Sequence, residues 1–163
     1  MAEEDNIAVV RRMVDEAWNR GNVDVIDELC APDCVHHAGA AGSPQAQISG
    51  AGTPEDTKAG IRSLRSAFPD LHISLEDVFA QGDSVACRYI TTGTNRGSFM
   101  GRPPTNKRTF TTGMSYVQLN DGKIASSWSE VDVIGLLQDI GVLPSPEQLR
   151  ERDRQRAQEA GNA

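Results

Sequence analysis

Apolar residues recur at helical spacing in the first seventy residues of the chain. One face of residues 5–20 carries an apolar side chain at every third or fourth position, and Gly21 ends that pattern. A second apolar pattern ends before Pro32, and a third begins at the Thr53-Pro54 pair, which is a good helix start. The spacing predicts three helices, over 5–20, 23–30 and 54–68.

Alternating apolar and polar positions replace the helical spacing after residue 70. Two turn signals, Gln81-Gly82-Asp83 and Asn120-Asp121-Gly122, divide this stretch. The pattern predicts strands over 71–80, 84–94, 107–119 and 123–131, a last helix over 133–140, and an earlier extended segment from Cys34. Helices followed by antiparallel strands are typical of an α+β fold, in which a strongly curved antiparallel sheet wraps around the N-terminal helices and leaves an internal pocket.

Two segments fall outside these elements. Residues 38–52 are rich in Gly, Ala and Ser, which is typical of either a functional lid or a disordered loop. Residues after 143 alternate in charge with almost no apolar face, so a solvated helix or a disordered tail is expected, with a subunit contact as the lesser alternative. The predicted organisation is one domain over 1–143 and a charged tail over 144–163.

The turn after Leu119 admits two registers for the last hairpin. A two-residue turn pairs Asn120 with Lys123 and puts Gln118 and Asp132 on opposite faces, whereas a three-residue loop with a bulge pairs Leu119 with Lys123. In the second register, one face carries the even-numbered residues of both strands: Phe110, Thr112, Met114, Tyr116, Gln118, Ile124, Ser126, Trp128, Glu130 and Asp132. Large apolar groups with a few polar ones are typical of a ligand pocket, and a core face with acids at its rim is the alternative.

Composition and charge restrict the partners. The 163 residues carry a net charge of −7, which argues against nucleic acid and anionic membranes as partners. No apolar run approaches the roughly 20 residues that span a bilayer, and the acidic N-terminus does not resemble a signal peptide. A cytoplasmic protein with a neutral or apolar partner is expected.

Three cysteines in such a chain are expected to be reduced thiols. Cys30, Cys34, His36 and His37 are close in sequence, and a zinc site can be imagined from them. No second pair at a familiar spacing follows, so buried thiols and a polar strand end are the preferred interpretation.

Five segments resemble one family. They are CAPDCVHH, RSAFPDLHISLEDVFAQGDSVACRY, GTNRGSFMGRPPTNKR, NDGKI and WSEVDVIGLLQDIG. Together, over residues 6–143, they resemble the SnoaL-like polyketide cyclases, whose cone-shaped α+β barrel is shared with nuclear transport factor 2, scytalone dehydratase and ketosteroid isomerase. The resemblance implies this fold, although the fold by itself does not imply one function.

The resemblance also implies candidate catalytic residues. Asp132 matches the acid/base of the cyclases, which use no metal and no cofactor, and Glu130 is its neighbour. Gln118 stands where the cyclases carry a histidine, and an amide can donate a hydrogen bond but cannot deliver a proton. His37 aligns with a family histidine and could supply the missing ionisable group, or it is a satisfied strand-end residue. The predicted substrate-binding residues are Gln118, Trp128, Tyr116, Met114 and Phe110, with the even-numbered face turned to the concavity.

Three functions are compatible with these residues. The first is a cofactor-independent cyclase that closes a ring in a polyketide or a related secondary metabolite. The second is an epoxide-opening hydrolase or cyclase, in which Glu130 and Asp132 divide the acid and base roles. The third is a non-catalytic small-molecule-binding protein. A homodimer is also predicted, through an outer sheet face that carries the small odd-numbered residues.

Overall fold

The computed structural model describes residues 2–38 and 52–161. The helices are α1 (Ala2–Arg12), which continues as a π-helical segment (Met13–Asn19), α2 (Val25–Leu29), α3 (Pro54–Ala67), α4 (Val133–Asp139) and α5 (Pro146–Gly161). The strands are β1 (Cys30–Ala38), β2 (His72–Gln81), β3 (Ser84–Thr94), β4 (Arg108–Asn120) and β5 (Lys123–Val131). The helices and strands predicted from the sequence are confirmed, and the predicted loop at 38–52 lies mostly outside the described residues.

The five strands form one sheet in the order β1-β5-β4-β3-β2. Strands β2 to β5 pair antiparallel with their neighbours, and β1 pairs parallel with β5. The sheet curves around α1, the π-helical segment and α3, so the predicted α+β fold is confirmed. The parallel edge strand brings the segment around His36 next to the middle of β5.

The core lies between the helices and the concave face of the sheet. The helices contribute Val10, Met13, Ala17 and Ile61, and the sheet contributes Val85, Cys87, Tyr89, Val117, Leu119 and Ile124. A second cluster joins Phe68, at the end of α3, to Ile140, just after α4. Residues of both clusters line a cavity.

Side-chain hydrogen bonds fix both ends of α3. Thr53 and Asp56 form a reciprocal capping box at its N-terminus, which satisfies two backbone N–H groups. After its C-terminus, the carboxylate of Asp70 accepts hydrogen bonds from the backbone N–H and the hydroxyl of Thr94, both at 2.7 Å. These bonds hold the pKa of Asp70 below its usual range. The FPD segment therefore ties the end of α3 to the end of β3.

The β4–β5 hairpin corrects the predicted register. Asp121 and Gly122 form a two-residue turn with positive φ angles of 48° and 74°, and Asn120 pairs with Lys123. Ala125 is then an extra residue in β5, because Leu119 pairs with Ile124 while Gln118 pairs with Ser126. This bulge restores the shared even-numbered face from Ser126 onward and leaves Ile124 buried in the core.

The even-numbered face is the outer one, so the predicted orientation of the sheet is wrong. Phe110 and Met114 are 61% and 57% exposed, and Tyr116 and Trp128 are both 41% exposed. The odd-numbered residues face the helices instead, so the small-residue face is not available for the predicted dimer contact.

The C-terminal helix α5 has exposed side chains wherever the structure describes them. This agrees with the solvated helix expected for the charged tail. None of the helices in the described residues is long and apolar enough to cross a membrane.

Candidate active site

A cavity of about 230 Å³ lies between the helices and the concave face of the sheet. This volume is somewhat below the usual range of small-molecule sites, roughly 300–1,000 Å³. The helices contribute mostly apolar lining, including Val10, Met13, Trp18, Leu64 and Phe68. The sheet contributes most of the polar groups: Tyr89, Thr91, Thr109, Thr111, Ser115, Ser127 and Ser129, with His36 from β1.

A hydroxyl cluster on β3, β4 and β5 lies in the sheet wall of the cavity. The hydroxyls of Ser115 and Ser129 are 2.7 Å apart, on directly opposed positions of β4 and β5. Burial raises the pKa of Tyr89, and hydrogen bonding with Ser115 and Ser129 only partly opposes that rise. The phenol therefore stays protonated at neutral pH and can donate a hydrogen bond. Tyr89, Ser115 and Ser129 are called the hydroxyl cluster below.

The position of Tyr89 depends on Gly113, its partner in the β3–β4 ladder. A Cβ at Gly113 would lie 2.5–2.7 Å from Cε2, Cζ and the hydroxyl oxygen of Tyr89. The ring therefore lies across the backbone of β4, which directs its hydroxyl toward Ser115 and Ser129.

His36 forms a second polar group of the cavity wall. Its Nδ1 lies 2.7 Å from the hydroxyl of Ser127, which is its neighbour across the β1–β5 pair. Its Nε2 lies 3.5 Å from the sulfur of Cys34 and 3.9 Å from that of Cys30. Hydrogen bonds from Cys30 and His36 lower the pKa of Cys34, whereas the bond with Cys34 and burial raise that of Cys30.

A third polar group was not predicted from the sequence. The hydroxyls of Thr109 and Thr111 are 3.1 Å apart and buried, and the carboxylate of Asp139 in α4 accepts a hydrogen bond from Thr109 at 3.2 Å. Asp139 also accepts from the backbone N–H of Phe110 at 2.9 Å. Asp139 is thus a carboxylate that reaches the cavity wall through a threonine.

The predicted substrate-binding residues lie on the opposite face of the sheet from the cavity. The hydroxyls of Tyr116 and Ser84 share a hydrogen bond of 2.8 Å, and the ring centroid of Tyr116 lies 5.7 Å from that of Trp128. Gln118 accepts a hydrogen bond from Ser126 at 3.2 Å and is exposed. Phe110 and Met114 are exposed on the same side. Their predicted place in the pocket is wrong, because the helices cover the odd-numbered face of the sheet and leave the even-numbered face outside.

The three predicted catalytic residues are not brought together in the cavity. Glu130 is exposed and pairs with Met114 on the outer face. Asp132 caps α4, where its carboxylate accepts from the backbone N–H of Gly135 at 2.8 Å. His37 borders the cavity, but its ring stacks on Trp128 at 5.0 Å. Among the described residues, no Asp or Glu lines the cavity directly.

The inward positions had a recognisable signal in the sequence. Ser115, Ser127 and Ser129 fall on the odd-numbered face, which is smaller and more polar than the even-numbered one. By size and polarity alone, such a face would be assigned to the solvent-exposed side of the sheet. Small hydroxyl side chains, however, also leave room for a ligand when they line a cavity. Which of the two interpretations is correct depends on which face of the sheet the helices cover.

Comparisons with known proteins agree with this architecture. The family model of the SnoaL-like polyketide cyclases matches residues 8–140. AclR of Streptomyces galilaeus, for which a hydroxylase function has been suggested, is similar with a TM-score of 0.77 and 27% identity, over 98% of this chain and 96% of its own. IdmH of Streptomyces antibioticus, a suggested polyketide cyclase, has a TM-score of 0.71 and 28% identity, over 83% of this chain and 98% of its own.

A third solved structure carries the family's description. The suggested SnoaL-like polyketide cyclase of Jannaschia sp. CCS1 has a TM-score of 0.75 and 26% identity, over 88% of this chain and 96% of its own. No curated protein sequence matches this chain significantly.

Proposed function

The chain belongs to the SnoaL-like polyketide cyclase family, as its sequence motifs predict, and on this basis we propose that it closes a ring in a small, largely apolar polyketide-type substrate. The observation that carries the proposal is the apolar cavity with the hydroxyl cluster in its wall. In the proposed reaction, a base removes a proton from a carbon between two carbonyls. The resulting enolate carbon attacks a carbonyl carbon of the same molecule, and the new alkoxide takes up the proton.

The hydroxyl cluster fits the binding of a carbonyl oxygen that becomes an enolate oxygen. Tyr89 is a buried, protonated phenol, and Ser115 and Ser129 place two further hydroxyls beside it. Hydrogen-bond donors aimed at an oxygen that gains charge in the transition state lower the barrier most where water is excluded. The apolar walls from α1 and α3 supply that exclusion.

Replacing Tyr89 by Phe tests the cluster. The substitution keeps the ring on Gly113 and removes only the hydroxyl, so the protein is expected to fold and to bind substrate with a small loss of affinity. The turnover number for ring closure of an aromatic β-polyketone ester is expected to fall about 10²–10³-fold, as for the loss of one oxyanion donor. Tyr116→Phe, on the outer face, is the matched control. A Tyr89→Phe enzyme with the turnover number of the wild type would contradict the proposal.

The proton acceptor has two candidates with different origins. Asp132 matches the family's base by sequence, and His36 lies in the cavity wall. Asp132→Asn retains an N-cap acceptor and removes the base, and His36→Asn removes the imidazole. Loss of the general base should lower the turnover number about 10²–10⁴-fold, and we expect this decrease in only one of the two variants. Measured turnover numbers, with urea unfolding to check stability, identify the acceptor, and equal losses in both would reject a single base.

A second candidate function is binding without turnover. It is favoured by the lining of the cavity, because no carboxylate of the described residues faces it. Trp18 lines the cavity and Trp128 does not, so a Trp128→Phe protein reports ligand binding through Trp18 fluorescence alone. Saturable quenching with no product by mass spectrometry would support binding only. The epoxide-opening alternative is weakened, because Glu130 is exposed on the outer face.

We further propose that the protein is a cytoplasmic homodimer, paired through the outer face of the sheet. Large apolar side chains are exposed there, which is unusual for a face in contact with water alone. Cys30, Cys34 and Cys87 are free thiols, which fits a reducing compartment.

A further inference from the structure

We propose that Cys30, Cys34 and His36 form a binding site for a borderline-soft divalent cation, Zn²⁺ in particular. Their ligand atoms, two sulfurs and Nε2, all lie within 4.8 Å of one another. Both cysteines are buried and His36 is half-buried. Thiolate and imidazole are the ligands that Zn²⁺ prefers. The proposal goes beyond ring closure and does not depend on it.

An irregularity in β1 brings the two cysteines together. In a regular strand, residues four positions apart are separated by about 13 Å. Here Cys30 pairs with Ile124 and Val35 pairs with Ser126. Between these two pairs β1 advances by five positions, whereas β5 advances by only two. The surplus residues fold back and place Cys34 near Cys30. Nε2 of His36 then lies near both sulfurs.

The distances match those of a tetrahedral site. With zinc bonds of about 2.3 Å to sulfur and 2.0–2.1 Å to nitrogen, tetrahedral angles separate the sulfur and nitrogen ligands by about 3.6 Å. The observed separations from Nε2 are 3.5 Å to Cys34 and 3.9 Å to Cys30. Cation binding therefore requires only small shifts of Nε2 relative to the two sulfurs, which lie within 4.8 Å of each other. No fourth His, Cys, Asp or Glu among the described residues joins the group, so the fourth position is left to water or a ligand atom.

The orientation of the imidazole is set by a neighbour that is not a ligand. Nδ1 of His36 lies 2.7 Å from the hydroxyl of Ser127, which leaves Nε2 directed at the sulfurs. Metal-binding histidines are usually fixed in this way through their second nitrogen. Cation binding releases the thiol protons to solvent, and no electron is transferred. A cation on Nε2 would also remove His36 from the candidate proton acceptors.

Cobalt binding tests the site on the full-length protein after treatment with a chelator and a reductant. Co²⁺ should bind at one equivalent per chain and give thiolate-to-metal charge-transfer absorption with tetrahedral d–d bands. Zn²⁺ should abolish both. Cys30→Ser and His36→Asn should lose the bands, whereas Cys87→Ser, a buried cysteine on β3 outside the group, should keep them. Ser127→Ala retains all three ligands and should weaken the affinity about 10–100-fold.

Each outcome decides between the cation site and a simple thiol–imidazole hydrogen bond. Absence of thiolate charge transfer in the folded, reduced wild-type protein would overturn the proposal. So would bands that survive in Cys30→Ser or disappear in Cys87→Ser. The wild-type protein and Ser127→Ala both retain the three proposed ligand residues. Their titrations therefore test the site even if a cysteine variant fails to fold. Ring-closure activity is not used as a readout, so failure of the proposed function would leave this result unchanged.

Discussion

Gly113 fixes the position of the aromatic residue that carries the proposed function. The residue has no Cβ, and the space where one would lie is filled by the ring of Tyr89. Glycine inside a strand is often explained by such a close approach of another group. The hydroxyl cluster therefore depends on a residue that has no functional group of its own.

Replacing Gly113 by Ala should consequently disturb both stability and the site. The added methyl group has to displace the Tyr89 ring, and overpacking of this kind costs about 1–3 kcal/mol. Thr112→Ala, on the exposed neighbour, is the control and should change the free energy of unfolding by less than about 1 kcal/mol. Urea unfolding measures both, and ligand affinity should fall only in Gly113→Ala. Equal effects of the two substitutions would contradict the assigned role of Gly113.

At the scale of elements, the sequence predicted the hairpin but not the side of it that faces the helices. The alternation of β4 and β5 correctly predicts that Tyr116, Trp128 and Glu130 share a face. The choice of the inner face then relied on size, with large apolar residues assigned to the pocket. That rule fails here because the outer face is apolar as well, and because local periodicity contains no information about which face a distant helix covers.

The sequence places Cys30, Cys34 and His36 close together but does not favour a cation site there. A regular strand would keep Cys30 and Cys34 apart. The irregular pairing of β1 with β5 depends on the tertiary structure, and only coordinates reveal it. Helix ends, by contrast, have local causes such as the Thr53 capping box, and these were predictable.

Deleting Ala125 tests whether the bulge sets the faces of β5. Without this extra residue, regular pairing from the turn onward still places Ser126 opposite Gln118, so Trp128 and Glu130 should stay on the outer face and Ser127 and Ser129 in the cavity wall. Because no side chain changes faces, the deletion should cost less than about 4 kcal/mol, the level that a switch of faces would be expected to reach. Deletion of Ala157 in the exposed helix α5 is the control. Circular dichroism melting should give similar midpoints for both deletions, and a much lower midpoint for the Ala125 deletion would show that the bulge itself is needed to orient β5.

At the scale of the whole molecule, the outer face of the sheet carries a continuous apolar stripe. The strand registers align Phe79, Ala86, Tyr116, Trp128 and His37 in one row across all five strands. Phe79 is 61% exposed, and the rings of Trp128 and His37 stack at 5.0 Å. A stable interface needs about 800 Å² from each partner, so the row would form the centre of a contact that includes its exposed neighbours Phe110 and Met114. A dimer contact through this stripe would explain why large apolar residues lie on the face of the sheet opposite the cavity.

A charge in the centre of this stripe should therefore dissociate the proposed dimer. In a two-fold interface, Trp128→Lys places two like charges near each other in an apolar contact and removes a large aromatic group from each side. Sedimentation equilibrium at micromolar concentration should show a dimer for the wild type and a monomer for the variant. Leu149→Lys, an exposed apolar position on α5, is the matched control and should remain dimeric. Because the cavity opens on the other face of the sheet, the monomer should still bind ligand, and Trp18 fluorescence measures that binding. A monomeric wild type, or a dimer that survives Trp128→Lys, would show that the stripe does not pair two copies of the chain.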